Sequence, residues 1–348
     1  MLLFYPAGDF HEAPVGIVFS ELEQSTKAGR CYAMAHITTA FPEPSAAAAF
    51  RTSSEFPARI RLLRWLGKQV WLPRGQDALL RAVYDPDAGE HFRFEVDFFG
   101  LRYRGDLAQY IDWQVLCYGG APLCELHLLR DVVGFLRRGE KRRLSFYDIG
   151  ANIGHHALFM SKLADDVYAF EPFRDLIRQI EEKIELNGLT NLRILPFALG
   201  EEDTKIAYYP GPDFNSGVGS LLPEFPGVRN ESVMVELRRG DSFLAREGLP
   251  RIDILKLDVQ GYEPNVLRGL AERIRSDRPV VLAELSEQSR NGIGDARDFA
   301  RMFYPDARFA EVTGRQGHTY GLKAFDYAAS EEVLVLPPEL SNFLSGRP

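Results

Sequence analysis

The sequence predicts a doubly wound α/β fold, in which helices cover both faces of a mostly parallel sheet, and three observations support this prediction. An apolar strand, a glycine loop and a helix follow one another directly over 145–163. Apolar strand-like segments then alternate with helix-like segments to about residue 284. Acidic residues close four of these strands, and the carboxyl ends of parallel strands meet along one edge, where ligands bind. The four acids are Asp148, Glu171, Asp258 and Glu284.

Composition is typical of a soluble globular protein. The 348 residues are 45% hydrophobic and 26% charged, and they suffice for one large domain or a domain and a half. A net charge of −8 argues against a nucleic-acid partner, because a nucleic-acid-binding face is basic. Three cysteines without zinc spacing indicate free thiols and a cytoplasmic location. No window approaches the roughly eighteen apolar residues of a membrane span.

The first 58 residues carry no motif, and we interpret them as an N-terminal α+β extension of unassigned role. Apolar and charged residues alternate over 91–99, which predicts a strand with one buried face. Gly100 turns this strand into a second one, and helical spacing follows to about residue 136. We therefore predict a β-hairpin and helical lid region over 59–138, followed by a domain over 139–348.

The predicted domain over 139–348 alternates strands with helices. The strands are expected near 145–149, 166–170, 192–196, 252–258 and 279–284. The helices are expected near 155–163, 173–187 and 263–275. Between 206 and 237 the alternation breaks, and we interpret 208–220, rich in turn residues and aromatics, as a substrate-gating loop at the binding edge. Three closing strands are expected within 309–336.

The glycine loop has the spacing Gly150-x-Asn152-x-Gly154, which differs from the G-x-G-x-x-G dinucleotide fingerprint. Glycine suits such a turn because it adopts positive φ at little cost and leaves room for a ligand. About twenty residues further on, a second strand ends at Glu171. A carboxylate at this position can accept hydrogen bonds from both hydroxyls of a ribose. The spacing therefore predicts a nucleoside-containing ligand.

Five blocks of the sequence resemble the FkbM family of S-adenosylmethionine-dependent methyltransferases, and they occur in the family's order. The blocks are DIGANIG at 148–154, AFEP at 169–172, Asn187, FALG at 197–200, and ILKLDVQGYE at 254–263 with VLRG at 266–269. One departure is Gln260, where the family usually has glutamate. The resemblance covers about 125–284. It implies a class I, Rossmann-like methyltransferase sheet of seven strands, one of them antiparallel.

The resemblance implies that S-adenosylmethionine is the cofactor. The methionine part is expected on the backbone of the glycine loop, at Gly150, Ala151, Asn152 and Gly154. Asp148 would bind the cofactor's ammonium directly or through water, and Glu171 would bind the ribose. Asp203 is a candidate for contacting the adenine. Glu125 is a candidate for holding the cofactor, with a helix N-terminal acid favoured by the dipole as the alternative.

Methyl transfer to an alcohol needs a nucleophile held on axis and the loss of its proton. Asp258, beside the expected sulfonium, is the first catalytic candidate. Lys256 points to the same face of its strand and would position a hydroxyl together with Asp258 or neutralise buried acids. Glu263 is a further catalytic candidate, with a structural role in the first helical turn as the alternative. We expect no metal, with a divalent cation between Asp258 and Glu284 as the open alternative.

His155 and His156 open the helix that follows the glycine loop. The helix dipole disfavours a protonated ring at this position. We therefore predict packing or a hydrogen bond to the cofactor for these side chains, in preference to proton abstraction.

Together these features predict an O-methyltransferase that acts on a hydroxyl of a sugar, polysaccharide unit or natural product, which are acceptors that the resemblance implies. Two alternatives stay open. A nicotinamide-dependent oxidoreductase is disfavoured by the missing G-x-G-x-x-G. A catalytically inactive binding protein of the same fold is disfavoured by the acids Asp148, Glu171 and Asp258, although Gln260 leaves it open. Nothing in the sequence predicts the oligomeric state.

Overall fold

The computed structural model describes residues 49–69, 75–88, 90–139, 142–314 and 319–344. Most of the predicted N-terminal extension, including Cys31, lies outside the described residues. Cys117 and Cys124 are buried free thiols. None of the helices in the described ranges combines the length and the apolar character needed to cross a bilayer.

The first described part of the chain is a three-stranded sheet with four helices. The strands are β1 (Arg51–Thr52), β2 (Arg93–Phe98) and β3 (Leu101–Asp106), and the helices are α1 (Ala58–Gly67), α2 (Gln76–Val83), α3 (Tyr110–Tyr118) and α4 (Leu123–Gly139). β2 and β3 form the predicted hairpin, and Phe99 and Gly100 turn it with positive φ. β1 pairs in parallel with β2, so this sheet begins before the predicted boundary at residue 58.

The rest of the described chain alternates strands and helices as predicted. The strands are β4 (Ser145–Ile149), β5 (Asp166–Phe170), β6 (Leu192–Leu195), β7 (Ala198–Gly200), β8 (Thr204–Tyr208), β9 (Val233–Arg239), β10 (Ile254–Leu257), β11 (Val280–Glu284), β12 (Arg308–Thr313), β13 (Gly321–Ala324) and β14 (Glu332–Leu336). The helices are α5 (His155–Met160), α6 (Arg174–Asn187), α7 (Gly240–Arg246), α8 (Glu263–Gly269), α9 (Ala271–Asp277), α10 (Glu287–Ile293), α11 (Ala296–Arg301) and α12 (Ser341–Leu344).

The main sheet has eight strands in the order β13-β12-β14-β11-β10-β4-β5-β6. The five strands from β11 to β6 are parallel, and β14 pairs antiparallel with β11. β12 and β13 extend the sheet beyond β14 through antiparallel pairs. The doubly wound, mostly parallel α/β class is therefore confirmed. The sheet has one strand more than the expected seven, because β13 adds to its outer edge.

A second small sheet, in the order β7-β9-β8, flanks the predicted loop over 208–220. The alternation of strands and helices breaks over 206–237 as predicted, and β8 and β9 pair antiparallel around this stretch. Both strands are largely exposed, and their apolar residues are clustered instead of alternating with polar ones, so periodicity did not reveal them. The remaining connection, 209–232, keeps the predicted irregular structure and contains one short 3₁₀ turn.

The strands of the main sheet are buried on both faces. Along β10, Ile254 belongs to the apolar core that includes α3, α4 and α5, whereas Leu255 belongs to the core on the opposite face. Side chains alternate along a strand, so Lys256 shares the face of Ile254. Asp148 is paired with Lys256 in register. The sheet thus brings this lysine and this carboxylate to the side covered by α4 and α5.

Candidate functional site

The glycine loop lies at the carboxyl end of β4 and contacts the segment that follows β10. Gly150 has a φ of +83°, and a Cβ atom there would overlap the backbone carbonyl of Asp258. Asn152 also has a positive φ, +52°. Its side-chain oxygen accepts a hydrogen bond from the N–H of Ile153 at 2.8 Å. Glycine at 150 is therefore required by conformation and by space together.

Glu171 lies at the end of β5, beside the glycine loop, and its side chain is buried. One carboxylate oxygen accepts a hydrogen bond from the N–H of Asn152 and the other from the N–H of Phe173, both at 2.9 Å. Burial raises the pKa of Glu171 to about 8, although these two hydrogen bonds act in the opposite direction. The backbone thus fixes this carboxylate at the cavity wall and leaves each oxygen able to accept further hydrogen bonds.

Asp148 is fully buried, and neither of its carboxylate oxygens has a hydrogen-bond partner at ordinary distance in the described part of the chain, although the backbone of Ala157 is close enough to lower its pKa slightly. Burial raises its pKa to about 6, which the charge of Lys256 partly offsets. Unpartnered buried oxygens of this kind are uncommon in folded proteins and call for a ligand or a water.

Lys256 and Asp258 form an ion pair, with Nζ 3.1 Å from Oδ2. The lysine side chain is 6% exposed, whereas that of Asp258 is 35% exposed. Burial opposes the charge on Lys256, but Asp258, Asp148 and Glu125 outweigh it and raise the lysine pKa above its ordinary value. Burial likewise opposes the charge on Asp258, and Lys256 with Gln260 outweighs it and lowers the Asp258 pKa. Both groups are therefore charged at neutral pH.

Gln260 lies between Asp258 and Glu284, the two carboxylates considered above as ligands of a divalent cation. Its Nε2 donates to Asp258 Oδ1 and to Glu284 Oε2, each at 2.7 Å. Burial and the charge of Asp258 raise the pKa of Glu284 well above its ordinary range. Within the described ranges, no group of three or more histidine, cysteine or acidic residues is arranged to hold a metal ion. The proposed cation between Asp258 and Glu284 thus finds no support, because an amide nitrogen bridges the pair.

Glu263 does not lie on the cavity wall. Its Oε1 accepts hydrogen bonds from the backbone N–H of Val259 at 2.9 Å and of Gly261 at 3.3 Å. Its other oxygen accepts from the hydroxyl of Ser289. Burial raises its pKa to about 7. These contacts favour the structural alternative, in which Glu263 shapes the segment after β10.

Glu125 and the two histidines lie behind the glycine loop. His156 Nε2 is 3.1 Å from a carboxylate oxygen of Glu125, and both side chains are buried. Burial, then the charge of Lys256, lowers the pKa of His156 well below its usual value. Burial does the same for His155, whose two ring nitrogens have no hydrogen-bond partner among the described residues. His155 lies on the cavity wall and Glu125 does not.

Asp203 lies in the exposed turn after β7, where its carboxylate accepts a hydrogen bond from the N–H of Arg239 at 2.7 Å. It does not reach the cavity, so its placement does not support a contact with adenine. Ala198 and Leu199 line the cavity there instead. This turn connects β7 to β8 in the small sheet. Asp203 therefore lies beside Arg239, just before the start of α7, and not at the cavity.

These elements surround a cavity at the carboxyl edge of the main sheet, with about 740 Å³ of atom-free space including its open mouth. Its wall includes predicted site residues and others that the sequence did not identify individually. The predicted ones are Gly150, Ala151, Asn152, Glu171, Lys256 and Asp258, and the others include Tyr208, Ser220, Leu221 and Tyr262. The two adjacent tyrosines at 208 and 209 are the sequence feature from which Tyr208 could have been identified as a wall residue.

The 209–220 segment covers one side of this cavity and is tied to it at three points. Asn152 donates from its side chain to the carbonyl of Ser216 at 2.9 Å. The hydroxyl of Ser220 donates to the carbonyl of Gln260 at 2.7 Å. The N–H of Tyr110 donates to the carbonyl of Phe214 at 2.8 Å. The predicted gating loop is therefore in contact with the glycine loop, the segment after β10 and α3.

Residues 148–310 match the family model described as the methyltransferase FkbM domain. The resemblance drawn from the five sequence blocks is therefore confirmed over this part of the chain.

Two characterised relatives are methyltransferases. Hexuronic acid methyltransferase AglP of Haloferax volcanii is 27% identical over 153 residues, which are 44% of this chain and 61% of the relative. The 2-O-methyltransferase NoeI of Sinorhizobium fredii is 28% identical over 181 residues, which are 48% of this chain and 72% of the relative. The match thus spans about three fifths of the first relative.

Among solved structures, the methyltransferase FkbM from Methylobacillus flagellatus is similar to this chain. The alignment covers 80% of this chain and 58% of that one, with 13% identity and a TM-score of 0.37. Similarity at this level has no bearing on function.

Proposed function

We propose that this protein is an S-adenosylmethionine-dependent O-methyltransferase that acts on a hydroxyl of a saccharide or a related natural product. The observation that carries the proposal is the geometry of Glu171. Its carboxylate is buried at the cavity wall, and one backbone N–H fixes each oxygen. This arrangement suits the two hydroxyls of a ribose, because each oxygen keeps an acceptor site for one of them.

The remaining wall residues fit the other parts of this cofactor. Gly150 and Asn152 present backbone to the cavity, and His155 offers a neutral, unpartnered ring nitrogen to a ligand. Asp148 is not itself on the cavity wall, and its buried carboxylate would reach the cofactor's ammonium through a bound water. When bound, the cofactor supplies an electrophilic methyl group on a sulfonium.

Asp258 would orient the acceptor hydroxyl and accept its proton. Its side chain is partly exposed on the cavity wall, and Lys256 and Gln260 keep it ionised. A carboxylate with a lowered pKa is a weak base, so proton transfer would occur late, as the hydroxyl becomes acidic on methylation. Much of its contribution would be to hold the hydroxyl oxygen in line.

The acceptor class follows from the relatives. One is named for a hexuronic acid and the other for 2-O-methylation. The second name favours an oxygen acceptor at a 2-position, and the first favours a saccharide that carries both hydroxyl and carboxyl groups. The polar side chains Lys256, Asp258 and Gln260 on the cavity wall suit a hydroxyl-bearing ligand.

Calorimetric titration tests the cofactor. The chain is titrated with S-adenosylhomocysteine and, separately, with NADH. At pH 9, where Glu171 is ionised, we expect binding of the homocysteine ligand near micromolar affinity, at least about a hundredfold weaker in Glu171→Ala, because charge-assisted hydrogen bonds contribute about 1.5–3 kcal/mol each. Binding of NADH alone would contradict the proposal, and binding of neither would favour the non-catalytic alternative.

A second experiment tests the reaction. The chain is incubated with methyl-labelled S-adenosylmethionine and a panel of hexoses, uronic acids and secondary-alcohol natural products. Label is expected in at least one alcohol acceptor, and Asp258→Asn serves as the control for background methylation. A chain that binds the cofactor and labels only amine or thiol acceptors would refute the O-methyl assignment.

A further inference from the structure

Gln260 is the residue that joins two carboxylates of neighbouring strands. Its side-chain nitrogen donates to Asp258, which follows β10, and to Glu284, which ends β11. A primary amide has two N–H groups, so both are used. The second oxygen of Asp258 is taken by Lys256, at 3.1 Å. The amide therefore bridges the two carboxylates without adding charge.

The backbone around Gln260 is held in an uncommon conformation. Gln260 has a φ of +52°, which is rare for a residue with a side chain, and Gly261 follows with a φ of +95°. Three contacts fix this turn. Glu263 accepts from the N–H groups of Val259 and Gly261, and the hydroxyl of Ser220 donates to the carbonyl of Gln260. Such strain persists where the surrounding structure imposes it and is concentrated at functional sites.

We infer that Gln260 is a positioning residue whose amide takes the place of a bridging cation, and that a glutamate at 260 would create a divalent-cation site with Asp258 and Glu284. The part that concerns Asp258 during methyl transfer rests on the proposed function. The part that concerns the cation rests on the geometry alone.

Exchange of the amide for a carboxylate changes the donors of the cluster. A glutamate at 260 has no N–H to offer, so three carboxylates would face one another across the space that the amide now bridges. Lys256 is already bonded to Asp258 and supplies a single positive charge. Glu332 pairs with Glu284 in register on β14 and adds another acid nearby. Mg²⁺ and Mn²⁺ are bound in proteins mainly by carboxylate and other oxygen ligands, and this cluster of carboxylates would supply several of them.

Calorimetric titration with MnCl₂ tests the cation site in three forms of the full chain. These are the wild type, Gln260→Glu, and the double variant Gln260→Glu with Glu284→Gln. We expect at least about tenfold tighter Mn²⁺ binding in Gln260→Glu than in the wild type. The double variant again has two carboxylates and is expected to lose this gain. Equal Mn²⁺ binding in all three forms would overturn the inference, as would a folded Gln260→Glu chain that does not gain affinity.

Methyl transfer to the acceptor found in the screen tests the positioning role. In the wild type, EDTA is expected to leave the rate unchanged. Gln260→Ala is expected to lower kcat while the affinity for S-adenosylhomocysteine stays within about threefold, since the amide acts on Asp258. Mn²⁺ is expected to raise the rate of Gln260→Glu and to leave that of Gln260→Ala unchanged. Loss of wild-type activity in EDTA would overturn this role.

The two proposals fail in different ways. A wild type that does not bind S-adenosylhomocysteine refutes the proposed cofactor and leaves the Mn²⁺ comparison intact. A wild type that binds it, together with a Gln260→Glu variant that does not gain Mn²⁺ affinity, refutes the cation inference alone. Thermal unfolding of each variant separates both outcomes from a failure to fold.

Discussion

The carboxyl edge of the main sheet holds its carboxylates in two different ways. In the half formed by β4 and β5, backbone N–H groups fix Glu171. In the half formed by β10 and β11, the side chains of Lys256 and Gln260 fix Asp258. The two halves meet where Gly150 contacts the carbonyl of Asp258.

Because of this difference, the fold determines the position of Glu171, whereas a single substitution can change the charge and orientation of Asp258. A carboxylate held by backbone keeps its place whatever the neighbouring side chains are, which suits a part of the ligand that does not vary. A carboxylate held by side chains takes its charge and orientation from them. One exchange at position 260 therefore suffices to alter the second half while the first stays intact.

The largest effect is expected for Asp258→Asn. Asparagine keeps the shape of the side chain but cannot accept the acceptor's proton, so methyl transfer should fall by about 10²–10⁴-fold. Affinity for S-adenosylhomocysteine should stay within about threefold. Single-turnover rates with labelled cofactor, beside calorimetry on the same preparation, measure both. A rate within about tenfold of the wild type would remove Asp258 from the chemistry.

Gly150→Ala tests the contact between the two halves. A Cβ atom at 150 meets the Asp258 carbonyl, and the φ of +83° disfavours alanine as well. The free energy of unfolding is expected to fall by about 3 kcal/mol or more. Gly188→Ala is the matched control, because Gly188 also has a positive φ, +59°, and has no atom within 4 Å of the added Cβ.

The control, Gly188→Ala, should cost only about 1 kcal/mol, the conformational part alone. Denaturant unfolding of both variants measures the difference. Equal losses would mean that the glycine loop and the segment after β10 are not in close contact.

A third prediction concerns the pH dependence of stability without ligand. The pKa of Glu171 is raised from 4.5 to about 8, so the folded state binds this proton more tightly than the unfolded state. Its contribution is full below pH 4.5 and is lost as the pH rises towards 8. Between pH 5.5 and 8, wild-type stability should therefore fall by on the order of 2 kcal/mol relative to Glu171→Gln.

Asp295→Asn is the control for this slope. Hydrogen bonds from the N–H groups of Asp298 and Arg297 lower the pKa of the exposed Asp295 from 3.8, so its contribution is present above that pH and is lost only at more acidic pH. Its difference from the wild type should stay constant between pH 5.5 and 8. Thermal or denaturant unfolding across this range measures both. If the free energies of unfolding of the wild type and of Glu171→Gln change equally with pH, ionisation of Glu171 does not destabilise the folded state and the prediction is wrong.

The smallest effect is expected at the cover of the cavity. Ser216→Ala removes the hydroxyl that bonds to the side-chain oxygen of Asn152 at 3.1 Å and keeps the backbone contact at 2.9 Å. Affinity for S-adenosylhomocysteine should weaken by less than about tenfold, since one neutral hydrogen bond contributes about 1 kcal/mol. Ser242→Ala, at an exposed site on α7, is the control and should not change affinity.

The first half of the edge was predictable from sequence because its signals are local. The glycine spacing and the acid that ends the next strand identify Gly150 and Glu171, and a parallel sheet brings such positions together. The sequence also identified the segment after β10, and it showed that Gln260 stands where the family usually has glutamate. The bridge that Gln260 forms to Glu284 depends on a positive φ and on strand order, which one sequence does not display.

Other features also depend on contacts that are distant in sequence. Asp203 comes after β7, which belongs to the small sheet and not to the main one. The carboxyl end of this strand therefore does not bring Asp203 to the cavity. Glu332 was not identified, because its position opposite Glu284 depends on the register of an antiparallel pair distant in sequence. β8 and β9 are largely exposed, and their pairing leaves little apolar pattern.

The division of the edge is tested most directly by the affinity for S-adenosylhomocysteine in two isosteric variants, Glu171→Gln and Asp258→Asn. Calorimetry at pH 9, where Glu171 is ionised and accepts at both oxygens, should show a loss of about a hundredfold or more for Glu171→Gln, because the amide accepts at one oxygen only. Asp258→Asn should bind within about threefold of the wild type. Equal losses in the two variants, or a larger loss in Asp258→Asn, would contradict the division of this edge into a cofactor half and a chemical half.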